Sequence, residues 1–438
     1  MKEKTTLQHL FQPIVIVAAL GYFVDIYDLQ LFGIVRVQSL TSLLPAGLSS
    51  DEIKKIVSAA GTKILDYQMM GMLIGGILWG VLGDKKGRLS VLFGSIITYS
   101  IANICCGLLP SVTFMDKIDA YILLRFIAGI GLAGELGAGI TLVSEALPKQ
   151  LRAIGTSLVA GIGLLGAVVA KFTVFFSGSW TAAYFIGGVL GFALLLLRVG
   201  VAESGMFKNI VHEAGVQKGN FLSFFSNKER FFKYLKCIGI GFPNWFTIGI
   251  LIYFSNEFAE GLGITEKVDP GWAVMWGYIG ISAGDFLSGF LSQWLESRKK
   301  AILYMMIFAF LGFAFYLGGL PKSANGIYLM ALWVGFGTGF WAMFVTVGAE
   351  QFGTNLRSTA ATTIPNMSRG ALVIWTFLFT GFKTGSFTFF GNEIVKIEPT
   401  GVIWAGVIVG LVAYSIAFYS VLTIPESHGK ELDYLEED

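Results

Sequence analysis

The sequence predicts an all-α membrane protein, with twelve transmembrane helices in two pseudo-symmetric six-helix bundles. Three observations lead there. Of the 438 residues 54% are hydrophobic and only 14% charged, with 56 glycines and 38 phenylalanines, a composition suited to lipid rather than to a soluble core. Apolar runs of about 20 residues, the length that crosses a hydrocarbon layer about 30 Å thick, recur between short polar breaks. The polar landmarks of the first half then reappear, in order, in the second.

The runs lie at 14–35, 66–82, 89–109, 120–143, 153–177 and 180–199, then at 234–256, 271–294, 301–320, 326–349, 358–382 and 400–423. Each is continuous in hydrophobicity and lacks the alternation of an outer-membrane barrel, so helices are expected. The basic amino terminus MKEKTTLQHLFQP precedes a run that holds acids and no small-residue cleavage site, which reads as a retained helix. Lysine and arginine favour one set of loops by about two to one, placing both termini in the cytoplasm. EIKKI, in a long first outer loop, reads as a short surface helix, either a lid or a solvated flank. The net charge of +2 says nothing about nucleic acid, because the basic residues are spread among loops rather than gathered on one face, and no nucleic-acid partner is expected. Cys105, Cys106 and Cys237 have neither disulfide nor metal spacing, and His9, His212 and His428 lie in tails or linker. No cofactor and no metal are expected. Nor is an enzyme, since no nucleophile, base and oxyanion donors gather at one depth.

The duplication rests on three correspondences. SEALPKQLRA after the fourth run and AEQFGTNLRS after the tenth set Glu145 and Arg152 opposite Glu350 and Arg357. VAESGMF after the sixth and IPESHGK after the twelfth set Glu203 opposite Glu426. GVLGDKKGRL after the second has a looser counterpart, GFLSQWLESRKK, after the eighth. The chain is thus expected to divide into a bundle at 1–199, a charged cytoplasmic linker at 200–233, a second bundle at 234–423 and a tail at 424–438. Parallel repeats of this kind, with a site near midplane between them, let one bundle rock against the other.

The first run carries GYFVDIYDL, with Asp25 and Asp28 at a depth where an ionisable group needs a partner, a watery cavity or a function. They lie about 16 and 21 Å from the cytoplasmic end, on one face of the helix. Arg125, entering from outside on the fourth helix, lies at about the level of Asp28. An arginine beside an aspartate keeps the acid ionised, and burial apart from it invites a proton, so a movement that parts and rejoins them is a proton-coupling switch. The plainer reading is a permanent ion pair that pins two helices. Asp25 is a second acid or a hydrogen-bonded anchor. Glu135, among small residues in GLAGELGAG, is a second proton site or a packing group nearer the cytoplasm.

Arg369, about 16 Å into the eleventh helix, is level with Asn366 and with Asn244 and Trp245 of the seventh. A lone cation there calls for an anion, and the alternative is an internal partner such as Asp285. Lys171, in the outer third of the fifth helix, reads as a side chain snorkelling to the interface.

GVLGDKKGR resembles the signature loop of the major facilitator superfamily, G-x-L-x-D-x-x-G-R, and RFIAGIGLAGE resembles its fourth-helix motif. YDL, SEALPKQLR, AEQFGTNLR with NMSRGAL, and PESHGKEL resemble the branch of sugar porters, organic ion carriers and bacterial metabolite:proton symporters. The resemblance spans nearly the whole chain. It implies a monomeric secondary transporter in a bacterial cytoplasmic (inner) membrane, working on a small molecule by alternating access. In the family the signature loop forms a cytoplasmic charge lock, which maps here onto Asp84, Arg88, Glu145, Arg152 and Glu203, with Glu350 and Arg357 in the second half. Proton-linked sugar porters place an aspartate and an arginine at Asp28 and Arg125. Metabolite symporters carry an acid at Glu135, and organic anion carriers an arginine at Arg369. The fifth helix lacks the Gly-Pro pair of drug antiporters, which favours uptake.

Residues and resemblance together lead to import of a small organic anion, a carboxylate, with protons. Coupling falls to Asp28, Arg125, Asp25 and Glu135, and substrate binding to Arg369, Asn366, Asn244 and Trp245. The rivals are a proton-coupled carrier of a sugar, betaine or phosphate, and a non-transporting sensor.

Overall fold

The computed structural model describes residues 11–86, 88–135, 137, 139, 143, 147, 152–203, 221–389 and 392–429. Its helices group into twelve rods. In the first half these are α1 (Pro13–Leu43), α2 (Ser50–Lys86), α3 (Arg88–Gly107), α4 (beginning as Lys117–Leu132), α5 (Arg152–Leu164 and Gly166–Ser177) and α6 (Trp180–Glu203). In the second, α7 is assembled from Lys228–Ile240, Phe242–Phe246, a π turn at Thr247–Ile252 and Ser255–Gly261. There follow α8 (Pro270–Trp294), α9 (Arg298–Leu317), α10 (Ala324–Gly337 and Trp341–Glu350), α11 (Thr354–Gly370 and Leu372–Thr384) and α12 (Gly401–Thr423).

Among the described residues nine of the rods are long and apolar enough to cross a membrane on length and composition alone. The other three are α4, α8 and α11, which carry Arg125, Asp285 and Arg369. Among the described residues α4 falls short in length, with 16 in its regular stretch, while α8 and α11 carry polar groups that lower their mean hydropathy.

The two halves share a packing device. In the first, α2 meets α4 so closely that a Cβ on Gly71 would lie 2.2 Å from the Phe126 carbonyl oxygen, and one on Gly129 would lie 2.1 Å from that of Gln68. In the second, the equivalent pair α8 and α10 does the same at Gly284, 2.1 Å from the Phe336 carbonyl oxygen. Small residues let backbones touch and gain dispersion contacts where lipid supplies no hydrophobic drive. Between the halves, α2 lies on α11 and α5 on α8.

Three expectations need correction. The first outer loop is short, because α2 starts at Ser50 rather than near 66. EIKKI is its opening turn, capped by reciprocal bonds between Ser49 and Glu52 (2.9 and 3.3 Å) and held against α7 by the ion pair Lys54–Glu260 at 2.9 Å. Lys171 does not snorkel: it is buried and ion-paired with Asp269, the residue that caps α8. Finally, the connection after α11 holds an antiparallel hairpin, β1 (Ser386–Phe389) with β2 (Asn392–Lys396). Its Phe387 packs on Phe377 and Phe382.

Candidate functional site

A cavity of about 20 Å³ lies between the halves, walled by Tyr22 and Ile26 of α1, Leu164 of α5, Asn244, Trp245 and Ile248 of α7, Tyr278 and Ile281 of α8, Trp341 of α10 and Arg369 of α11. That is room for about one water molecule. The carrier is therefore drawn closed around its centre.

Arg369 is 1% exposed and stands in the last turn of the first piece of α11, just before the helix restarts at Leu372. Its Nη1 donates to Asn366 Oδ1 at 3.1 Å. Its guanidinium carbon is 5.8 Å from the ring centre of Trp245 and 5.5 Å from that of Trp341. Among the described residues Nε and Nη2 find no hydrogen-bond partner. Asn366 in turn donates to the carbonyls of Ala133 and Thr362, both at 3.0 Å, which ties α11 to α4 of the other half. Asn244 donates to the Thr338 carbonyl at 2.6 Å, inside the break of α10, and its Oδ1 is left over. The sequence reading thus brought Arg369, Asn366, Asn244 and Trp245 to one place, and missed Tyr22, Tyr278 and Trp341.

Asp285 does not neutralise Arg369. Its carboxylate accepts the Ala342 amide at 3.0 Å, capping the second piece of α10, where the free amides of a helix N-terminus favour a negative charge. Among the described residues Arg369 makes no ion pair.

Across the cavity, Asp25 and Asp28 are both wholly buried. Arg125 does lie beside Asp28, yet it donates to the Asp28 backbone carbonyl (3.1 Å), to Gln68 (3.2 Å) and to Asn103 (2.9 Å), not to the carboxylate. The Asp28 side chain points at Gly187 of α6, where a Cβ would sit 2.3 Å from Oδ1. The permanent salt bridge is thus not formed in this conformation. Glu135, by contrast, is gripped by both terminal nitrogens of Arg198, one at 3.0 Å, with the two side chains 1% and 4% exposed. Arg198 falls inside the sixth run, 180–199. Its position inside the unbroken run GFALLLLRVG is the signal that a buried acid had to meet it.

At the end of the bundles that carries both termini, the inner end on the expected orientation, the side chains of Asp84, Arg88, Glu145, Arg152 and Glu203 lie outside the described residues. In the second half Glu350 is held by Arg298 through two bonds of 2.6 and 2.7 Å and by the Ser427 hydroxyl at 2.8 Å. Arg357 stands in the first turn of α11. Glu426 accepts the Arg298 amide at 3.1 Å and the Ser297 hydroxyl, so it caps α9. Burial opposes its charge, but the bonds from Ser297, His428, Ser427 and Arg298 prevail and hold its carboxyl below the usual range.

At the opposite end, the outer one on that expectation, Arg36, 2% exposed, donates to the Tyr253 carbonyl (2.8 Å) and Asn256 (3.3 Å) and lies 4.4 Å from the Phe254 ring centre. Glu257 pairs with Lys383 at 2.9 Å, and both bond to Ser58. Asp66 accepts the Thr376 hydroxyl, and Gln30 the Tyr253 hydroxyl.

The comparisons with known proteins agree with this architecture. The chain matches the Major Facilitator Superfamily over residues 18–376 and belongs to that family. It is 27% identical over 368 residues to a Haemophilus influenzae protein assigned to metabolite transport, covering 80% of this chain and 84% of that one. It is 25% identical over 336 residues to the niacin transporter of Acinetobacter baylyi, covering 68% and 73%. The proton:xylose symporter XylE superposes with a TM-score of 0.68 over 97% of this chain and 98% of its own, at 18% identity, and so shares the fold. The chain is an integral membrane transporter and not an enzyme.

Proposed function

We propose that the protein imports a small organic carboxylate together with protons by alternating access, across a bacterial cytoplasmic membrane with both termini inside. The observation that carries this is Arg369, a buried cation with two unpartnered nitrogens at the central cavity. A buried charge without a partner is costly, and a substrate anion is the partner that would relieve it. The indoles of Trp245 and Trp341 and the phenols of Tyr22 and Tyr278 offer flat apolar walls, which suit a carboxylate carried on a planar ring. Two relatives are named for niacin, an acid of that kind.

Protons fit the energetics. A membrane potential negative inside opposes anion entry by about 2.3 kcal/mol per charge per 100 mV, and each cotransported proton cancels that opposition. Asp28 and Arg125 carry the coupling switch, Asp25 and Glu135 sit within its charge cluster, and the cytoplasmic acids and arginines from Asp84 to Arg357 form the lock on the inner side. A second reading, a zwitterionic solute, draws support from the same two tryptophans, whose faces also suit a quaternary ammonium, and from a relative named for proline and betaine.

Uptake into proteoliposomes under an inward proton gradient separates these. Nicotinate and benzoate are expected to accumulate, and uptake of betaine or xylose without either acid would overturn the reading. The Arg369→Ala variant should lose anion uptake by tenfold or more, about 1.4 kcal/mol or greater in transition-state terms. Asp28→Asn should exchange substrate between two loaded sides yet fail to concentrate it.

A further inference from the structure

We infer that the cargo is a ring carboxylate that also carries a hydroxyl, held at two points of the central cavity: the carboxylate by the Nε and Nη2 edge of Arg369, and the hydroxyl by the side-chain oxygen of Asn244. This rests on the carboxylate reading above and names the second group that the cargo brings.

Both holding groups are fixed from behind. Asn244 is 1% exposed, lines the cavity and donates its amide nitrogen to the Thr338 carbonyl at 2.6 Å. That carbonyl also accepts the Phe340 amide at 2.9 Å and has no hydrogen to give, so only the nitrogen end of the Asn244 amide can face it. Exchanging the two ends would set oxygen against oxygen. Oδ1 is thereby turned away from the break in α10, and among the described residues no donor reaches it. The Thr338 hydroxyl is spent on the carbonyls of Val334 and Gly335.

Arg369 spends Nη1 on Asn366, which leaves Nε and Nη2 side by side along one edge. A second arginine shows what that edge holds. Arg298 grips both oxygens of Glu350 through the same two nitrogens, at 2.6 and 2.7 Å. The free edge of Arg369 is thus a seat for a carboxylate, taken with both its oxygens. A carboxylate seated there has no hydrogen for Asn244.

The two seats belong to neighbouring helices. A side chain on Gly241, three residues before Asn244 on α7, would run into the Ser368 hydroxyl, next to Arg369 on α11. Asn244 and Arg369 line one cavity, so one small molecule reaches both, and the wall between α1, α7, α8 and α10 is aromatic: Tyr22, Trp245, Tyr278 and Trp341.

A buried acceptor without a donor bears the full cost of its lost hydration, so a ligand that brings a hydrogen to it is favoured over one of the same shape that does not. A hydroxyl can also accept from the Trp245 indole nitrogen, which among the described residues has no partner either. The ring nitrogen of nicotinate carries no hydrogen at neutral pH. It can answer Trp245 but leaves Asn244 unsatisfied, which ranks nicotinate below a hydroxylated ring acid.

The test is a binding series on the full-length protein in nanodiscs at neutral pH, with benzoate, nicotinate, meta- and para-hydroxybenzoate and the matching fluorobenzoates as probes. Fluorine is close to a hydroxyl in size and brings no hydrogen. The better of the two hydroxybenzoates is expected to bind about tenfold or more tighter than its fluoro counterpart and than nicotinate. In Asn244→Ala the hydroxy-to-fluoro ratio should fall to about two or less, whatever becomes of the absolute affinities. Loss of the Thr338 bond alone would weaken both ligands alike and leave the ratio standing. Should that variant fold or bind too poorly to read, the wild-type series decides. Equal binding of the hydroxy and fluoro acids to the wild type, or a ratio retained in Asn244→Ala, overturns the inference and leaves the carboxylate reading intact. Should none of these acids bind, the carboxylate reading is at fault and the hydroxyl seat falls with it.

Discussion

The seam between the halves is crossed at its outer end by polar and charged side chains: Arg36 to Tyr253 and Asn256, Lys54 to Glu260, Ser58 to Glu257 and Lys383, Asp66 to Thr376, Lys171 to Asp269. At the inner end described residues of the two halves also meet by close approach. A Cβ on Gly76 would lie 2.7 Å from that of Asn366, one on Gly137 would lie 2.4 Å from the Thr362 hydroxyl, and one on Gly161 would lie 2.2 Å from the Phe286 ring. Hydrogen bonds cross there too, from Asn366 to the Ala133 carbonyl and from Ser282 to the Gly161 carbonyl, both at 3.0 Å. The two kinds of contact part differently. Bonds between polar groups exchange for bonds to water at small net cost, about 0.5–1.5 kcal/mol each, so the outer end yields to solution and to ligand. Glycine contacts offer no such exchange; they either fit or do not.

The sharpest way to break that comparison is Gly76→Leu, which puts a side chain where Asn366 stands. It should prop the inner end apart and cut nicotinate uptake by tenfold or more with expression intact, as read from initial rates in proteoliposomes. Arg36→Leu should follow. It strips the Tyr253 carbonyl and Asn256 of their donor, and a Gln30→Cys reporter should then be labelled several-fold faster from outside. Lys54→Ala should do least, because that pair is 62% and 60% exposed; uptake within twofold of wild type is expected.

Glu426 supplies a control inside one half. Its folded carboxyl is held below the usual range, so its cap on α9 stabilises the protein above the ordinary carboxylate value and that stability is lost as pH falls through the lowered one. The gap in Tm between wild type and Glu426→Gln should therefore narrow as the pH is taken from neutral to about 3.

Continuous hydrophobicity made most of the rods legible, and the recurring Glu-to-Arg spacing made the duplication legible. The outer turns of α2 were not, because a helix that leaves lipid loses its apolar run while keeping its hydrogen bonds. The hairpin after α11 was missed because nine residues of alternating pattern are lost beside spans of twenty. At the centre, a rise per residue gives height but not direction around the axis. Arg369, Asn366, Asn244 and Trp245 could be set at one level, whereas Tyr22, Tyr278 and Trp341 could not be recognised as their neighbours. Arg36 and Arg198 sit at the ends of apolar runs, where a loop count claims them, although both are buried.

The π turn of α7 carries one more residue per turn than an α-helix, as the bond from the Tyr253 amide to the Ile248 carbonyl at 3.1 Å records. Below it, Trp245 and Ile248 face the cavity, a stripe that a regular helix would continue near 252, 255 and 259. The residues that meet α1 and α2 are instead Tyr253, Asn256, Glu257 and Glu260, one place further on. A single surplus residue thus sets the phase between the wall that receives the cargo and the stripe that shuts the door above it. Deleting it would leave the span as greasy and almost as long as before, yet wheel the upper third by about 100° and turn its acids away from the opposing half.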